Sequence, residues 1–249
     1  MYTTLKIYSV AVLLVAWIGL SFVFSEQIIP GQIPVLEAIL DNLQSGDGWF
    51  HLYKTISRVV FGLFLAMILG SGLGPIMGLS LKGEKFFESW VMIGLTIPAV
   101  VYAIICLLWF GLNDFAAVIA IGITAFPAVA INMWQGVKDI DMQLIAMGKA
   151  FRLPTVDLVR KIVLPQTVPY ILAATRYALG ISWKIATTVE LIGMSSGVGY
   201  MLHYWFGLFS MTQVFAWALS FIIVLLFIEY VLINPFEKRA TSWRPVVQV

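Results

Sequence analysis

Gly193-Met194-Ser195-Ser196-Gly197 is the stretch of this sequence that comes nearest to a catalytic motif, because it matches the GxSxG nucleophile elbow of hydrolases. In that elbow a serine between a strand and a helix attacks an acyl group, with an acid and a histidine following later in the chain. Here a long apolar stretch precedes the motif, and no acid and histidine follow in that order. We therefore interpret these glycines as shaping a loop.

The sequence lacks the residues that nucleotide binding or a metal site would need. Gly148-Lys149-Ala150 has neither the Ser/Thr nor the preceding glycine of a phosphate-binding loop, so ATP hydrolysis is expected on another chain. Cys106 is the only cysteine, and His51 and His203 lie far apart in sequence, which excludes a disulfide framework and a Cys-rich metal site. The net charge of +2 gives no basic field for nucleic acid. We expect no catalysis, cofactor, metal or nucleic-acid partner in this chain.

The composition is that of a membrane protein. Hydrophobic residues make up 61% of the 249 positions and charged residues only 11%, whereas soluble domains carry about 25% charged residues. The mean hydropathy is +0.95. A lipid-facing surface needs no charged coat, so a bilayer explains these values.

Apolar runs of sufficient length predict an all-α protein with six transmembrane helices. We place the six spans at about 7–24, 55–79, 88–110, 115–135, 167–192 and 212–234. The stretch 25–53 is polar, but apolar residues at helical spacing predict a short amphipathic helix at the membrane surface. These residues are Ile33, Leu36, Ile39, Leu40 and Leu43. Between the last two spans, 193–211 is expected to be an outer loop whose aromatic residues lie at the interface, namely Tyr200, His203, Tyr204, Trp205 and Phe206.

Lys and Arg residues set the orientation, since cytoplasmic segments carry an excess of them. With both termini in the cytoplasm, eleven lie inside and two, Lys54 and Arg58, lie outside or at the outer edge of the second span. The eleven are Lys6, Lys82, Lys85, Lys138, Lys149, Arg152, Arg160, Lys161, Lys238, Arg239 and Arg244. The bias predicts two cytoplasmic termini, consistent with an even number of spans.

Two cations lie within the fifth span. Arg176 and Lys184 are eight residues apart, about two turns, and so share a face. Lys184 is near the middle of the span, where a charge is costly in lipid. It either lines a translocation path, together with the polar neighbours Ser182 and Thr188, or belongs to an ion pair within the bundle. Glu229 in the sixth span is expected to pair with a basic group or to lie near the inner interface.

The second predicted span, 55–79, carries a small residue at every fourth position, an arrangement that lets another helix approach closely in lipid. We call Gly62, Ala66, Gly70, Gly74 and Gly78 the small-residue ridge. Packing within the chain is favoured over a subunit interface. Prolines are expected to bend four of the spans, at Pro75, Pro98, Pro127 and Pro169.

The stretch 136–165 is a charged loop on the cytoplasmic side with helical periodicity. It is longer than a mere connection needs. Its two helical pieces join near Leu153-Pro154, and Arg160-Lys161 follow. A short helix held by the membrane domain can dock into a groove on a partner, whereas a solvated surface loop is the alternative.

The sequence resembles the permease subunit of type I ABC importers, in the branch that handles nitrate, sulfonates, taurine and bicarbonate. Around the loop the resemblance rests on Gly136-Val137, on Arg160-Lys161-Ile162-Val163-Leu164-Pro165 and on Pro169-Tyr170-Ile171. Elsewhere it rests on Ile97-Pro98, Trp109-Phe110-Gly111-Leu112, Phe126-Pro127, Ala178-Leu179-Gly180, Glu190-Leu191-Ile192-Gly193 and Ser195-Ser196-Gly197-Val198-Gly199-Tyr200. It covers about residues 52–235.

The family's cytoplasmic loop has the form Glu-Ala-Ala-x3-Gly, followed after eleven residues by Leu-Pro. Anchored on Leu164-Pro165, the family's Glu falls on Ala146 and its Gly on Arg152, so this chain departs from the pattern at both positions. The resemblance implies that ATPase coupling involves seven consecutive residues, Ala146, Met147, Gly148, Lys149, Ala150, Phe151 and Arg152.

The resemblance further implies a homodimer in the cell (inner) membrane, with two ATP-binding subunits that bind ATP-Mg on the cytoplasmic side and a soluble binding protein outside. The solute is expected to be a small anion. Three regions follow: 1–51 with the first span and the outer amphipathic segment, 52–235 as the importer membrane domain with its coupling loop 136–165, and 236–249 as a cytoplasmic tail. A self-sufficient secondary transporter or channel is the alternative function, and an intramembrane protease is a third. Secondary transporters tend to show inverted repeats and several intramembrane acids, and neither is evident here.

The predicted orientation can be tested by labelling single cysteines in a Cys106→Ala background. We expect Gly46→Cys to react with a membrane-impermeant maleimide added outside the cell, and Lys149→Cys to react only after the membrane is opened. Reaction of position 149 from outside in intact cells would contradict the orientation.

Overall fold

The computed structural model describes residues 2–240, apart from the side chains of residues 2–7, 10, 232, 236, 237 and 240. Every regular element in this part of the chain is helical. The α-helices are α1 (Tyr2–Val23), α2 (Gln32–Gln44), α3 (Asp47–Leu79), α4 (Leu81–Thr96), α5 (Ala99–Phe110), α6 (Asp114–Lys138), α7 (Met142–Ala150), α8 (Thr155–Leu158), α9 (Leu164–Gly193), α10 (Val198–Gly207), α11 (Met211–Phe227) and α12 (Asn234–Ala240). Two π-helical segments, Val159–Val163 and Ile228–Ile233, continue directly into α9 and α12. Positions 241–249 of the predicted tail lie outside the described residues.

Three helices are long and apolar enough to cross a membrane, namely Asp47–Leu79, Asp114–Lys138 and Met211–Val231. Two bent helix pairs raise the number to five if each pair is one span. The apolar part of α1 that the structure describes, Ala11–Val23, is shorter. The prediction of an all-helical, multi-pass protein is confirmed, while the sixth span stays a prediction.

The third predicted span, 88–110, is wrong as a single helix. It is divided into α4 and α5, whose axes differ by 94°. Ile97 is extended (ψ 127°), as the residue before a proline prefers, and Pro98 has no N–H to continue the ladder. The helix also begins earlier than predicted, at Leu81, where the Ser80 hydroxyl accepts a hydrogen bond from the Gly83 N–H.

The outer loop predicted over 193–211 is also wrong, because α10 occupies most of it. Gly197 lies in the turn after α9 and has a φ of +110°. The helix α10 begins at the next residue, Val198. The axes of the two helical segments differ by 46°. The helix predicted from the spacing in 25–53 is confirmed as α2, whose buried Val35, Ala38 and Ile39 pack with Ala216 of α11. Three of the five residues that carried the prediction, Ile33, Leu36 and Leu40, are exposed, and the place of α2 at the membrane surface stays a prediction.

The small-residue ridge of α3 packs against α6 of the same chain. A Cβ added to Gly70 would lie 2.5 Å from the Val129 Cβ, and one added to Gly78 would lie 2.6 Å from the Val137 Cβ. Added Cβ atoms at Gly62 and Gly74 would overlap Ile121 and Met133 in the same way, and Ala66 is fully buried. Close approach of two backbones increases van der Waals contact, which drives helix association in lipid.

Enlarging the ridge should therefore destabilise the fold. We expect Gly70→Val to lower the free energy of unfolding by about 1–3 kcal/mol, because the added methyl groups overlap α6. The matched control is Gly72→Val on the same helix, where an added Cβ meets nothing within 4 Å. The measurement is the midpoint of thermal unfolding of each purified variant in detergent, and equal midpoints for the two would contradict the packing.

Candidate functional site

The predicted coupling residues lie on and just after α7. Asp141 is the N-cap of this helix, and its carboxylate accepts hydrogen bonds from the N–H groups of Gln143 and Leu144 at 2.7 and 3.4 Å. Gly148 is buried, and a Cβ added there would lie 2.9 Å from the Ile162 side chain. The glycine thus lets α7 rest directly on the π-helical segment that leads into α9.

The end of α7 is a Schellman motif with an arginine in place of the usual glycine. The N–H groups of Arg152 and Leu153 donate to the carbonyls of Lys149 and Gly148 at 2.9 and 3.0 Å, the two bonds that define this motif. Arg152 has a φ of +53°. The family pattern has its glycine at this position, and the backbone conformation gives the physical reason for that preference.

An exposed apolar surface covers α7. Phe151 is 76% exposed and Met147 is 51% exposed, and Ala146 and Ala150 are exposed beside them. We call these four residues the α7 surface. Lys149 and Arg152, also exposed, add positive charge to it. Among the described residues nothing covers this surface.

Direct contacts tie α7 to the base of α9. The Asp141 N–H donates to the Gln166 side-chain oxygen at 2.8 Å, and the Gln166 amide donates back to the Ile162 carbonyl at 3.0 Å. One turn further, the Tyr170 hydroxyl bonds to Asp139. The π-helical segment on which α7 rests continues without a break into α9.

The structure separates the residues predicted for the translocation path. Lys184 is exposed on α9, and Thr188 is half-buried one turn further, its hydroxyl bonded to the Lys184 carbonyl at 2.8 Å. Ser182 is fully buried instead, and its hydroxyl donates to the Ala178 carbonyl at 2.8 Å. Lys184 and Thr188 therefore share a face, and Ser182 lies against the bundle.

Arg176 pairs with the last span. Its guanidinium lies 3.0 Å from the Glu229 carboxylate and also bonds to the Asn234 side chain. The expectation that Glu229 pairs with a basic group is confirmed. Glu229 lies in the π-helical segment Ile228–Ile233, a kind of local distortion that often occurs at functional sites.

At the end of the bundle opposite α7, a buried arginine joins three helices. The Arg58 side chain is 1% exposed, and its hydrogen bonds use all five donors of a guanidinium. It bonds to Glu190 of α9 at 2.7 Å, to Asp114 of α6 at 2.6 and 2.8 Å, and to the carbonyl and hydroxyl of Ser196 at 2.7 and 2.8 Å. The Glu190 side chain has no exposed surface.

Glu190 also organises the start of α10. Its second carboxylate oxygen accepts from the Thr55 hydroxyl and from the Gly199 N–H, both at 2.9 Å. The Val198 N–H donates to the Thr55 hydroxyl oxygen at 2.8 Å. The orphan N–H groups of a helix start are thus satisfied by side chains. We call Thr55, Arg58, Asp114, Glu190 and Ser196 the Arg58 junction.

Residues of the GxSxG stretch form part of this junction. Gly197 needs its positive φ of 110°, and a Cβ there would also overlap the Glu190 carboxylate. Its N–H donates to Nδ1 of His51 at 3.0 Å. Ser195 is exposed in the turn between α9 and α10.

The Arg58 junction is not predicted from the sequence, because Arg58 is placed there at the outer edge of the second span and Glu190 is given no partner. The sequence does contain a pattern that indicates burial of Arg58. Arg58 is four residues before Gly62, so it continues the small-residue ridge onto the buried face of α3. A charge in register with such a ridge is expected to be buried and paired.

These features define an all-helical, multi-pass membrane protein with an exposed apolar surface at one end and a buried polar junction at the other. Residues 59–240 match the family of binding-protein-dependent transport system inner membrane components, and the chain belongs to that family. It is therefore a permease subunit of an ABC importer in the inner membrane.

Three curated relatives are similar in sequence over most of this chain. The putative aliphatic sulfonates transport permease protein of Bacillus subtilis (strain 168) is 28% identical over 236 residues, 94% of this chain and 85% of the relative. The taurine transport system permease protein of Escherichia coli (strain K12) is 26% identical over 252 residues, 98% and 91%. The nitrate import permease protein of Synechococcus elongatus is 26% identical over 201 residues, 77% and 72%.

Solved structures share the fold. A chain of the MetNI methionine ABC transporter in an inward-facing conformation matches with a TM-score of 0.66 and 17% sequence identity. The match covers 77% of this chain and 94% of that one. An amino acid ABC transporter with histidines matches with a TM-score of 0.60 and 19% identity, covering 76% and 92%.

Removing the buried cation should be far more harmful than removing an exposed one. We expect Arg58→Met to cost about 3–5 kcal/mol of stability, because it leaves Glu190 charged, buried and unpaired. Lys54→Met is the control, since Lys54 pairs with the half-exposed side of Asp114 at 2.8 Å and should cost at most about 1 kcal/mol. Adding Glu190→Gln to Arg58→Met should restore part of the loss. Thermal unfolding in detergent measures all three, and equal effects of the two single variants would contradict the junction.

The left-handed backbone at Arg152 predicts a stabilising change. Arg152→Gly should stabilise the end of α7 by about 0.5–1 kcal/mol, since a non-glycine residue is disfavoured in this conformation. Amide hydrogen exchange over 148–153 should slow. Lys149→Gly, inside α7, is the control and should speed exchange, because glycine weakens a helix interior. Faster exchange in Arg152→Gly would show the motif to be wrongly placed.

Proposed function

We propose that two copies of this chain form the membrane path of an ATP-driven importer that takes a small anion from an external binding protein. Family membership supports the importer role. Relatives named for the transport of aliphatic sulfonates, taurine and nitrate support a solute that carries an anionic group. ATP-Mg is bound by two separate ATP-binding subunits on the cytoplasmic side.

The observation that carries this proposal is the α7 surface and its rigid connection to α9. Phe151 and Met147 expose apolar area at the tip of a short helix, the arrangement by which a helix inserts into a groove on a partner. The ATP-binding subunit supplies that groove. Because the Asp141–Gln166 contact and the close approach of Gly148 to Ile162 fix α7 to α9, movement of the ATPase displaces α9.

A second copy of the chain is needed to enclose the path. One copy leaves a continuous face of α9 uncovered, including Tyr177, which is 60% exposed, and Lys184. Closed pairs related by a two-fold axis are the commonest assembly of identical subunits. In such a pair the two α9 helices face each other across the path, and both α7 surfaces lie at the same end.

The test of the docking role is a charge placed in the α7 surface. We expect Phe151→Asp to lower co-purification of the co-expressed ATP-binding subunit at least about tenfold, because a buried carboxylate has no partner in an apolar groove. Ile33→Asp is the matched control: Ile33 is 71% exposed on α2 and lies away from α7. Equal recovery of the ATPase with both variants, at equal membrane abundance, would contradict the proposal.

A further inference from the structure

One face of α9 is exposed from Ala173 to Leu191. At 100° per residue its members fall within an arc of about 80°. We call them the α9 strip: Ala173, Tyr177, Gly180, Lys184, Thr188 and Leu191. Thr188 is half-buried and the others are exposed, and a Cβ added to Gly180 would meet nothing within 4 Å. The strip thus presents a surface that no described residue of this chain covers.

The chemistry of the α9 strip differs from that of the lipid-like faces elsewhere. Exposed residues of α11 are large and apolar, for example Ile223 at 56% and Phe227 at 59%, and on α3 Phe64 is 64% exposed. The strip instead combines two small residues, a tyrosine, a threonine and a lysine with a single large aliphatic residue, Leu191. Small and polar residues in a membrane helix are typical of a surface that meets another helix or water rather than lipid.

Lys184 lies near the middle of this strip without an acidic partner. Among the side chains that the structure describes, no carboxylate lies within ion-pair distance of its ammonium group. The nearby cation on the same helix, Arg176, is paired with Glu229, and the only acid on α9, Glu190, is buried and paired with Arg58. An ion pair with the described side chains therefore does not account for Lys184, and a lysine in hydrocarbon is costly.

We propose that Lys184 makes the translocation path selective for anions, because the α9 strips of two copies line a water-filled space in which both ammonium groups are hydrated. This inference rests on the proposed homodimeric importer. Rings of basic side chains favour anions in pores. Two copies of Lys184 near the midpoint give the path a positive potential, and Thr188, one turn away, adds a hydroxyl to the same wall.

The test uses thiol reagents of opposite charge and needs neither the transported solute nor the ATPase. Thr188→Cys is made in a Cys106→Ala background, and the full-length protein in proteoliposomes is treated with an anionic (sulfonatoethyl) or a cationic (trimethylammonioethyl) methanethiosulfonate. Rates are divided by those for a small free thiol. We expect both reagents to react at position 188 and neither at the control Ile223→Cys on α11.

The ratio of anionic to cationic rates should exceed that of the free thiol, should fall about three- to tenfold in Lys184→Gln, and should be retained in Lys184→Arg. The expected three- to tenfold change follows from the electrostatic effect of a unit charge one helical turn away in water. The smaller value applies at 0.15 M salt, where ions screen the charge. An unchanged ratio in Lys184→Gln, or no reaction at position 188, overturns the proposal. If Lys184→Gln does not accumulate in the membrane, the Thr188→Cys protein that retains Lys184 is sufficient, and absence of a preference for the anionic reagent there overturns the proposal.

Co-expression of the Lys184 variants with the ATP-binding subunit separates this inference from the proposed function. Association of the ATP-binding subunit with each Lys184 variant is measured by co-purification. Normal association with an unchanged rate ratio refutes the role of Lys184 and leaves the importer intact. Failure of the protein with Lys184 to bind the ATPase refutes the importer itself.

Discussion

The structure depends on the burial of one arginine. Taking Arg58 out of water costs several kcal/mol, and the fold offsets this only because all its donors find acceptors on α6, on α9 and in the turn before α10. Each acceptor comes from a different part of the chain, so the junction forms only when α3, α6 and α9 are in register. The small-residue ridge continues the same face of α3 towards the other end and keeps α3 and α6 in close contact along their length.

With α3 and α6 joined in this way, α9 is the helix that connects the two ends of the molecule. Its far end is held by Glu190 in the Arg58 junction, and its near end is fixed to α7 through Gln166. Between these points it leaves the α9 strip uncovered. In the proposed importer, the helix fixed to the docking surface is therefore also the helix that borders the path.

Much of this could be predicted from the sequence, because its signals are local. Apolar length predicted the long helices α3, α6, α9 and α11, spacing predicted α2, and length and charge predicted the loop containing α7. The break at Pro98 was partly visible, since a bend was expected there, but its size depends on how α4 and α5 each pack against α6. The Arg58 junction was missed because Thr55 and Arg58 are distant in sequence from Asp114 and from Glu190 and Ser196, and these groups meet only in the fold. The place of Ser182 against the bundle likewise depends on which face of α9 meets α6.

Coupling through α9 requires that α7 and α9 of one chain move as one body. Pulsed electron–electron double resonance measures this, with spin labels at Lys149→Cys and Leu191→Cys in one copy of the assembled, Cys106→Ala importer and, in a separate sample, at position 149 of both copies. We expect the distance within one copy to keep the same distribution in the nucleotide-free and ATP-bound states, while the distance between the two position-149 labels changes. A shift of the distance within the chain as large as the shift between copies would contradict it.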